Sequence, residues 1–133
     1  MRNPDRFRTI SAMYNPKIME HFRNPRNVGE IDDADGIGQA GNAEKGDVMR
    51  MYIKVEGDRI VDARHQTFGS AVAIAISSMA TLMIIGQTVD EAYKITREAV
   101  SEALDGIPED KMVCSNMAPE AIHNAIDDFR RRS

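Results

Sequence analysis

Apolar and more polar side chains alternate in the segment 48–55, and this alternation constrains the fold of the 133-residue chain more than any other feature. It predicts a β-strand with one buried face. Gly57 can supply the positive φ of a hairpin turn over residues 56–59, and residues 60–68 are predicted to form the returning strand. Because a two-stranded hairpin is only marginally stable alone, we expect a third strand from the region 36–42. The buried face of the first strand would consist of Met49, Met51, Ile53 and Val55.

Helices are predicted on both sides of the hairpin. Pro16 fits the first turn of a short helix, and Asn24 ends that helix because it precedes a proline. The segment 70–85 is too long for a typical strand and is rich in good helix formers, so we predict a buried helix with Ser70 near its N-cap. Gly86 would end it.

The C-terminal third of the chain carries two further helical patterns. Thr88 and Glu91 form a capping-box sequence at the start of a helix that is predicted to run to Leu104. The segment 107–110 is predicted to be a loop, and Pro119 is predicted to start the last helix. The whole pattern predicts an α+β domain, with a three-stranded antiparallel sheet and helices packed on one face.

Length and composition exclude several classes of function. The chain fits one domain, which we expect to span residues 14–133, with residues 1–13 as a flexible N-terminal extension. A net charge of -4 offers no basic surface for nucleic acid. The longest apolar run, 71–85, is interrupted by polar residues and is too short to cross a membrane. A single cysteine permits no internal disulfide, which favours a reducing cytoplasm.

The single cysteine, Cys114, is the first candidate for chemistry and lies between two predicted helices. A thiolate is both a nucleophile and a soft metal ligand. Free cysteines are also among the most buried residue types, so the alternative is an inert core residue. The three histidines, His21, His65 and His123, lack the spacing of a metal site. His21 is expected to pack against the loop that follows it, or to hydrogen-bond it.

Four blocks of sequence carry a family resemblance that extends from about Tyr14 to Arg131. The first block is Asn24-Pro25-Arg26-Asn27-Val28-Gly29, and the second is Gly46-Asp47-Val48-Met49. The third is Phe68-Gly69 before the alanine-rich helix, and the fourth is Lys111-Met112-Val113-Cys114-Ser115. Together they resemble the iron–sulfur cluster scaffold proteins of the IscU/NifU type. The resemblance implies the same α+β fold that the pattern of strands and helices predicts.

The resemblance also implies a cluster site made of three cysteines, a histidine just before the third, and an aspartate two residues after the first. Matched by position, two of the cysteines fall on Lys45 and Ser70, and the histidine falls on Val113. Only Cys114 and Asp47 keep the family's residue types. A 2Fe–2S cluster takes four protein ligands, serine is a hard ligand, and Lys45 places a cation where a metal would lie. We therefore expect no ordinary cluster on one chain.

A separate hypothesis gives Lys45 an electrostatic role at the same site. An ammonium group close to Asp47 and Cys114 would neutralise the carboxylate without iron and would favour the thiolate of Cys114. The alternative is a solvated loop lysine, since isolated surface ion pairs contribute little.

The sequence leaves three functions open, none of them enzymatic. In the first, the chain acts in sulfur or iron–sulfur trafficking with a cysteine desulfurase as partner, and Cys114 accepts a persulfide sulfur or the chain serves as an adaptor. In the second, a homo-oligomer binds iron or a 2Fe–2S cluster shared between subunits through Cys114 and Asp47. In the third, the chain binds no metal and is a structural or regulatory interaction subunit with an inert Cys114.

Overall fold

The alternating segment forms the central strand of a three-stranded antiparallel sheet in the structure, a computed structural model that describes residues 14–42 and 46–133. The strands are β1 (Gly36–Asn42), β2 (Asp47–Glu56) and β3 (Arg59–Phe68), in the order β1-β2-β3. The third strand therefore comes from the region where the sequence placed it. The predicted extension at residues 1–13 lies outside the described residues.

The helices follow the sequence signals at most of their ends. The first helix has Asn15 as its N-cap and Pro16 in its first turn, as predicted. The long apolar helix has Ser70 as its N-cap, and the Ser70 side chain accepts a hydrogen bond from the backbone N–H of Ala73. The bounds are α1 (Pro16–Arg23), α2 (Ala71–Ile84), α3 (Val89–Tyr93), α4 (Arg97–Ala103), a 3-10 helix (Glu109–Asn116) and α5 (Met117–Arg132).

The core lies between the sheet and the helices, on one face of the sheet. Helix α5 packs directly on β1 because Gly36 and Gly38 carry no side chain there; a Cβ at Gly38 would lie 2.2 Å from the backbone nitrogen of Ala125. Helix α2 packs on β3 and α1. The predicted fold class is thus confirmed. The fully buried apolar side chains include Ile18, Met49, Met51, Ile53, Ile76, Leu104, Ile122 and Ile126.

The prediction of one helix from Thr88 to Leu104 is wrong. The capping box at Thr88 is present, but α3 ends after five residues and α4 begins separately at Arg97. The cause is Thr96, whose side chain accepts a hydrogen bond from the backbone N–H three residues later and so acts as a second N-cap. Thr96 lacks the acidic partner of a capping box, which is why the pattern did not reveal it.

The start of the last helix was also misplaced. Helix α5 begins at Met117, and Pro119 is its third residue rather than its first. The first four N–H groups of a helix have no partner within the helix, so a proline in the first turn costs no hydrogen bond. The predicted loop at 107–110 is shorter than expected, because Glu109–Asn116 forms the 3-10 helix that carries Cys114 into α5.

Candidate functional site

Three residues that the sequence singled out come together at one end of the sheet. Asp47 is the first residue of β2, Ser70 caps α2, and Cys114 lies in the 3-10 helix. Asp47 Oδ1 accepts a hydrogen bond from the backbone N–H of Ser70 at 3.1 Å. Asp47 Oδ2 accepts one from the Cys114 thiol, with 3.6 Å between Sγ and Oδ2. The carboxylate therefore joins the helix terminus to the thiol.

The local sequence explains this position of the carboxylate. Ser70 Oγ satisfies the backbone N–H of Ala73 at 3.2 Å, so the first turn of α2 is capped from within. The N–H of Ser70 itself points out of the helix, where the positive end of the helix dipole favours an anion. Asp47 supplies that anion from the adjacent strand.

The groups that the structure describes around Cys114 favour the protonated thiol over the thiolate. Its residue is only 7 % exposed. Burial is the largest cause that raises the pKa of Cys114, followed by the negative charge of Asp47 and the hydrogen bond to that carboxylate. The Ser70 hydroxyl and the positive charge of Lys111 lower the pKa of the thiol by less. The net effect of these groups raises the pKa of the Cys114 thiol, so the resting side chain is a poor nucleophile.

The other two positions of the implied family site behave differently. Val113 is 73 % exposed, so its side chain extends mostly into solvent although its neighbour Cys114 is buried. Lys45 lies outside the described residues. The hypothesis that its ammonium group favours the Cys114 thiolate stays a prediction.

The donor groups that the structure describes are too few for an iron–sulfur cluster held by one chain. Within residues 14–42 and 46–133, no group of three or more histidine, cysteine, aspartate or glutamate side chains is placed to hold a metal ion. Cys114 supplies one soft ligand and Asp47 one hard ligand, and the Ser70 hydroxyl is a weak substitute. Cluster irons are held mainly by thiolates. A cluster bound here needs ligands from elsewhere.

The three histidines are engaged in other contacts. His21 Nδ1 lies 2.7 Å from Ser78 Oγ, and that hydroxyl oxygen also accepts the backbone N–H of Arg26 at 2.8 Å. His21 thus reaches the following loop through Ser78. His65 Nε2 lies 3.0 Å from the carbonyl oxygen of Arg26, and His123 Nε2 lies 2.6 Å from the backbone oxygen of Tyr93.

Two neighbours of the site, Phe68 and Gly69, mark the family resemblance in the sequence, but the sequence assigns neither of them a role of its own. Phe68, at the end of β3, is 78 % exposed. The alternation along β3 predicts the exposure of Phe68, because Phe68 lies on the outer face of the strand with Gln66, whereas His65 lies on the core face. Gly69 touches the site directly: a Cβ built there would lie 2.1 Å from Asp47 Oδ1.

Comparison with known proteins now decides the family. Residues 13–133 match the family model described as NifU-like N terminal domain. The chain belongs to this family. The predicted resemblance to the IscU/NifU scaffolds is thereby confirmed.

Curated relatives and a solved structure agree with this assignment. The chain is 57 % identical over 121 residues to a protein of Archaeoglobus fulgidus named iron–sulfur cluster assembly scaffold protein IscU 1, covering 91 % of this chain and 79 % of the relative. It is 46 % identical over 122 residues to the IscU scaffold protein of Aquifex aeolicus, covering 90 % and 78 %. The crystal structure of a NifU-like N-terminal protein from Brucella abortus has the same fold, with a TM-score of 0.77 at 18 % identity over 93 % of this chain and 99 % of that one.

Among the residues that the structure describes, none of the helices is both long enough and apolar enough to cross a bilayer.

Proposed function

We propose that the chain acts in iron–sulfur cluster assembly as a scaffold-like protein, and that Cys114 accepts sulfur from a cysteine desulfurase. One observation carries the proposal. In a fold whose relatives are named for cluster assembly, the one cysteine of the chain, which the resemblance matches to the third cysteine of the family site, is hydrogen-bonded to the Asp47 carboxylate. Sulfur transfer needs one thiol, whereas a cluster needs four ligands.

The transfer step balances with these residues and a persulfide donor. The Cys114 sulfur attacks the terminal sulfur of the donor's R–S–SH group. A new S–S bond forms at Cys114, the donor's S–S bond breaks, and the donor cysteine leaves as a thiolate. Asp47 is placed to take the Cys114 proton, since Oδ2 already accepts the thiol hydrogen bond, and to return it to the leaving thiolate. The products are Cys114–S–SH and R–SH.

The same geometry suppresses the reaction in the resting protein. Cys114 is buried, and its pKa is raised by burial and by Asp47. It lies on a 3-10 helix of eight residues, although runs of this helix longer than three or four residues are uncommon. We infer that docking of the desulfurase moves Glu109–Asn116 and exposes the thiol. Lys45 would then stabilise the thiolate if its ammonium group reaches the site.

A second candidate function is a cluster shared between copies of the chain. Two chains supply two Cys114 thiolates and two Asp47 carboxylates, which makes four ligands. Phe68 and Val113 have exposed apolar side chains, and each lies shortly before a residue of the site in the sequence. Exposed apolar surface beside the site favours contact between two chains there. A cytoplasmic location suits either function, since a free thiol persists in a reducing compartment.

The test is an anaerobic incubation of the chain with a desulfurase and cysteine, followed by intact mass measurement. The proposal predicts a mass increase of one sulfur that dithiothreitol removes and that Cys114→Ser abolishes. Absence of the added sulfur on the wild-type chain contradicts it. A slow alkylation of native Cys114 together with no added sulfur would favour an interaction subunit with an inert thiol.

A further inference from the structure

Gly69 occupies the turn between β3 and α2, where the Asp47 carboxylate passes closest to the backbone. A Cβ built on Gly69 would lie 2.1 Å from Asp47 Oδ1, 3.0 Å from Asp47 Cγ and 3.3 Å from the Cβ of Ala73. The first distance is far inside van der Waals contact. The carboxylate therefore fills the space that any other residue at position 69 would need.

Both oxygens of that carboxylate are used, which fixes its orientation. Oδ1 accepts the Ser70 N–H, and Oδ2 accepts the Cys114 thiol. A side chain at position 69 would push Oδ1 away from the terminus of α2. Because the two oxygens belong to one rigid planar group, Oδ2 would move away from the thiol as well.

We propose that Gly69 is a positioning residue for the site: the lack of a side chain at Gly69 lets Asp47 lie between the start of α2 and Cys114. Its part in sulfur transfer rests on the function proposed above. The placement of the carboxylate stands on the geometry alone. Gly69 acts through Asp47 and touches neither a sulfur donor nor the reacting sulfur.

The S–H stretching band of Cys114 reports this placement directly. The chain has one cysteine, so its infrared spectrum contains one S–H band, and a hydrogen bond to a carboxylate lowers the frequency of that band. Asp47→Ala is expected to raise the frequency, which calibrates the loss of the hydrogen bond. Gly69→Ala is expected to move the band toward the Asp47→Ala position. A folded Gly69→Ala protein with the wild-type band would overturn the proposal.

Gly29→Ala is the matched control for backbone strain. Gly69 and Gly29 have φ values of 154° and 132°, both in the region that side chains rarely adopt, but a Cβ at Gly29 would meet nothing within 4 Å. Gly29→Ala should destabilise the protein without moving the S–H band. An equal band shift in Gly29→Ala and Gly69→Ala would mean that strain, and not the carboxylate, causes the effect.

If Gly69→Ala does not fold in the wild-type chain, the same substitution can be tested in the Asp47→Ala variant. Without the carboxylate, the nearest remaining neighbour of the new Cβ is the Cβ of Ala73 at 3.3 Å, so Gly69→Ala should lower the melting temperature of Asp47→Ala by an amount close to that by which Gly29→Ala lowers that of the wild type. In the wild-type background, Gly69→Ala should lower the melting temperature clearly more than Gly29→Ala does. Equal losses in the two backgrounds, or failure to fold in both, would contradict the proposal.

Sulfur uptake by the same variants separates this inference from the proposed function. If the band shifts as predicted but the wild-type chain takes up no sulfur, Gly69 positions Asp47 and the sulfur-acceptor function is wrong. If the wild-type chain takes up sulfur and Gly69→Ala keeps both its band and its uptake, the function stands and the positioning role is wrong.

Discussion

Helix α2 supports two polar regions that differ in how their groups are paired. Toward its middle, Ser78 and Thr81 contact His21 and the loop 24–29 through hydrogen bonds between neutral groups. Ser77 reaches His65 through the hydroxyl of Thr67. At the start of α2, Ser70 contacts the Asp47 carboxylate and the Cys114 thiol. We refer to the first region as the histidine seam and to the second as the thiol site.

The difference shows which polar groups hold the fold and which are available for chemistry. In the histidine seam, burial lowers the pKa of both His21 and His65, so the neutral rings are the stable form. In the thiol site, Asp47 raises the proton affinity of Cys114, and a change in that one contact changes the reactivity of the sulfur. The predictions below separate the two regions, beginning with the largest expected effect.

His65→Ala should weaken the fold and leave the thiol site intact. His65 is 1 % exposed and its Nε2–H donates to the Arg26 carbonyl, so the substitution leaves a cavity and removes the donor to a partly buried oxygen. We expect a loss of about 3 kcal/mol in the free energy of unfolding, measured by urea denaturation. The S–H band of Cys114 in the folded variant should not move. A shifted band would show that the two regions are coupled.

Lowering the pH should reduce the stability that the histidine seam contributes before it affects the thiol site. A histidine whose pKa is lowered by folding contributes stability that is complete above its unfolded pKa of about 6.5 and declines as the pH falls below that value. For His21 the charges of Arg26 and Lys17 act in the same direction as burial, and Glu20 opposes them. We expect the melting temperature to fall below about pH 6.5. A double variant, His21→Gln with His65→Gln, should lose most of this dependence, and an unchanged slope would contradict the assignment.

Ser70→Ala should lower both stability and thiol reactivity. Loss of the N-cap of α2 should cost about 1 kcal/mol in unfolding free energy. The Ser70 hydroxyl also lowers the pKa of Cys114, so its removal should slow alkylation at a fixed pH near 8. Thr96→Ala is the matched control, because it removes the N-cap of α4 away from the thiol. If Thr96→Ala slows alkylation equally, global opening controls the rate instead of Ser70.

Asp47→Asn should have the smallest effect on stability and the opposite effect on reactivity. Loss of the negative charge at the start of α2 should cost about 0.5 kcal/mol in unfolding free energy. Because that charge raises the pKa of Cys114, the variant should alkylate faster than the wild type at the same pH. Slower alkylation would contradict the direction in which Asp47 shifts the pKa of the thiol.

The sequence predicted the parts of the fold that depend on neighbours along the chain. The alternation in β2, the cap at Ser70 and the capping box at Thr88 are local signals, and each marked a strand or the start of a helix correctly, although the helix that starts at Thr88 is shorter than predicted. Thr96 was missed because a lone threonine cap has no partner that marks it. The 3-10 helix was missed because its backbone is set by packing between α2, α4 and α5.

The thiol site could be predicted only in part. Asp47 and Cys114 are 67 positions apart, and only the family resemblance linked them before the structure did. The direction of the Cys114 pKa depends on burial and on the distance to Asp47, which are tertiary quantities. The contact between Gly69 and Asp47 depends on two backbones that meet in space, so no local pattern could reveal it.

Native mass spectrometry after anaerobic incubation with iron, cysteine and a desulfurase tests the central claim most directly. The claim is that one chain takes up sulfur at its single thiol and does not hold a cluster by itself. We predict a chain that gains one sulfur on Cys114 and retains no iron. A dimer or trimer that carries iron and sulfide in the proportions of one cluster, and that Cys114→Ser prevents, would contradict the claim and establish a shared cluster.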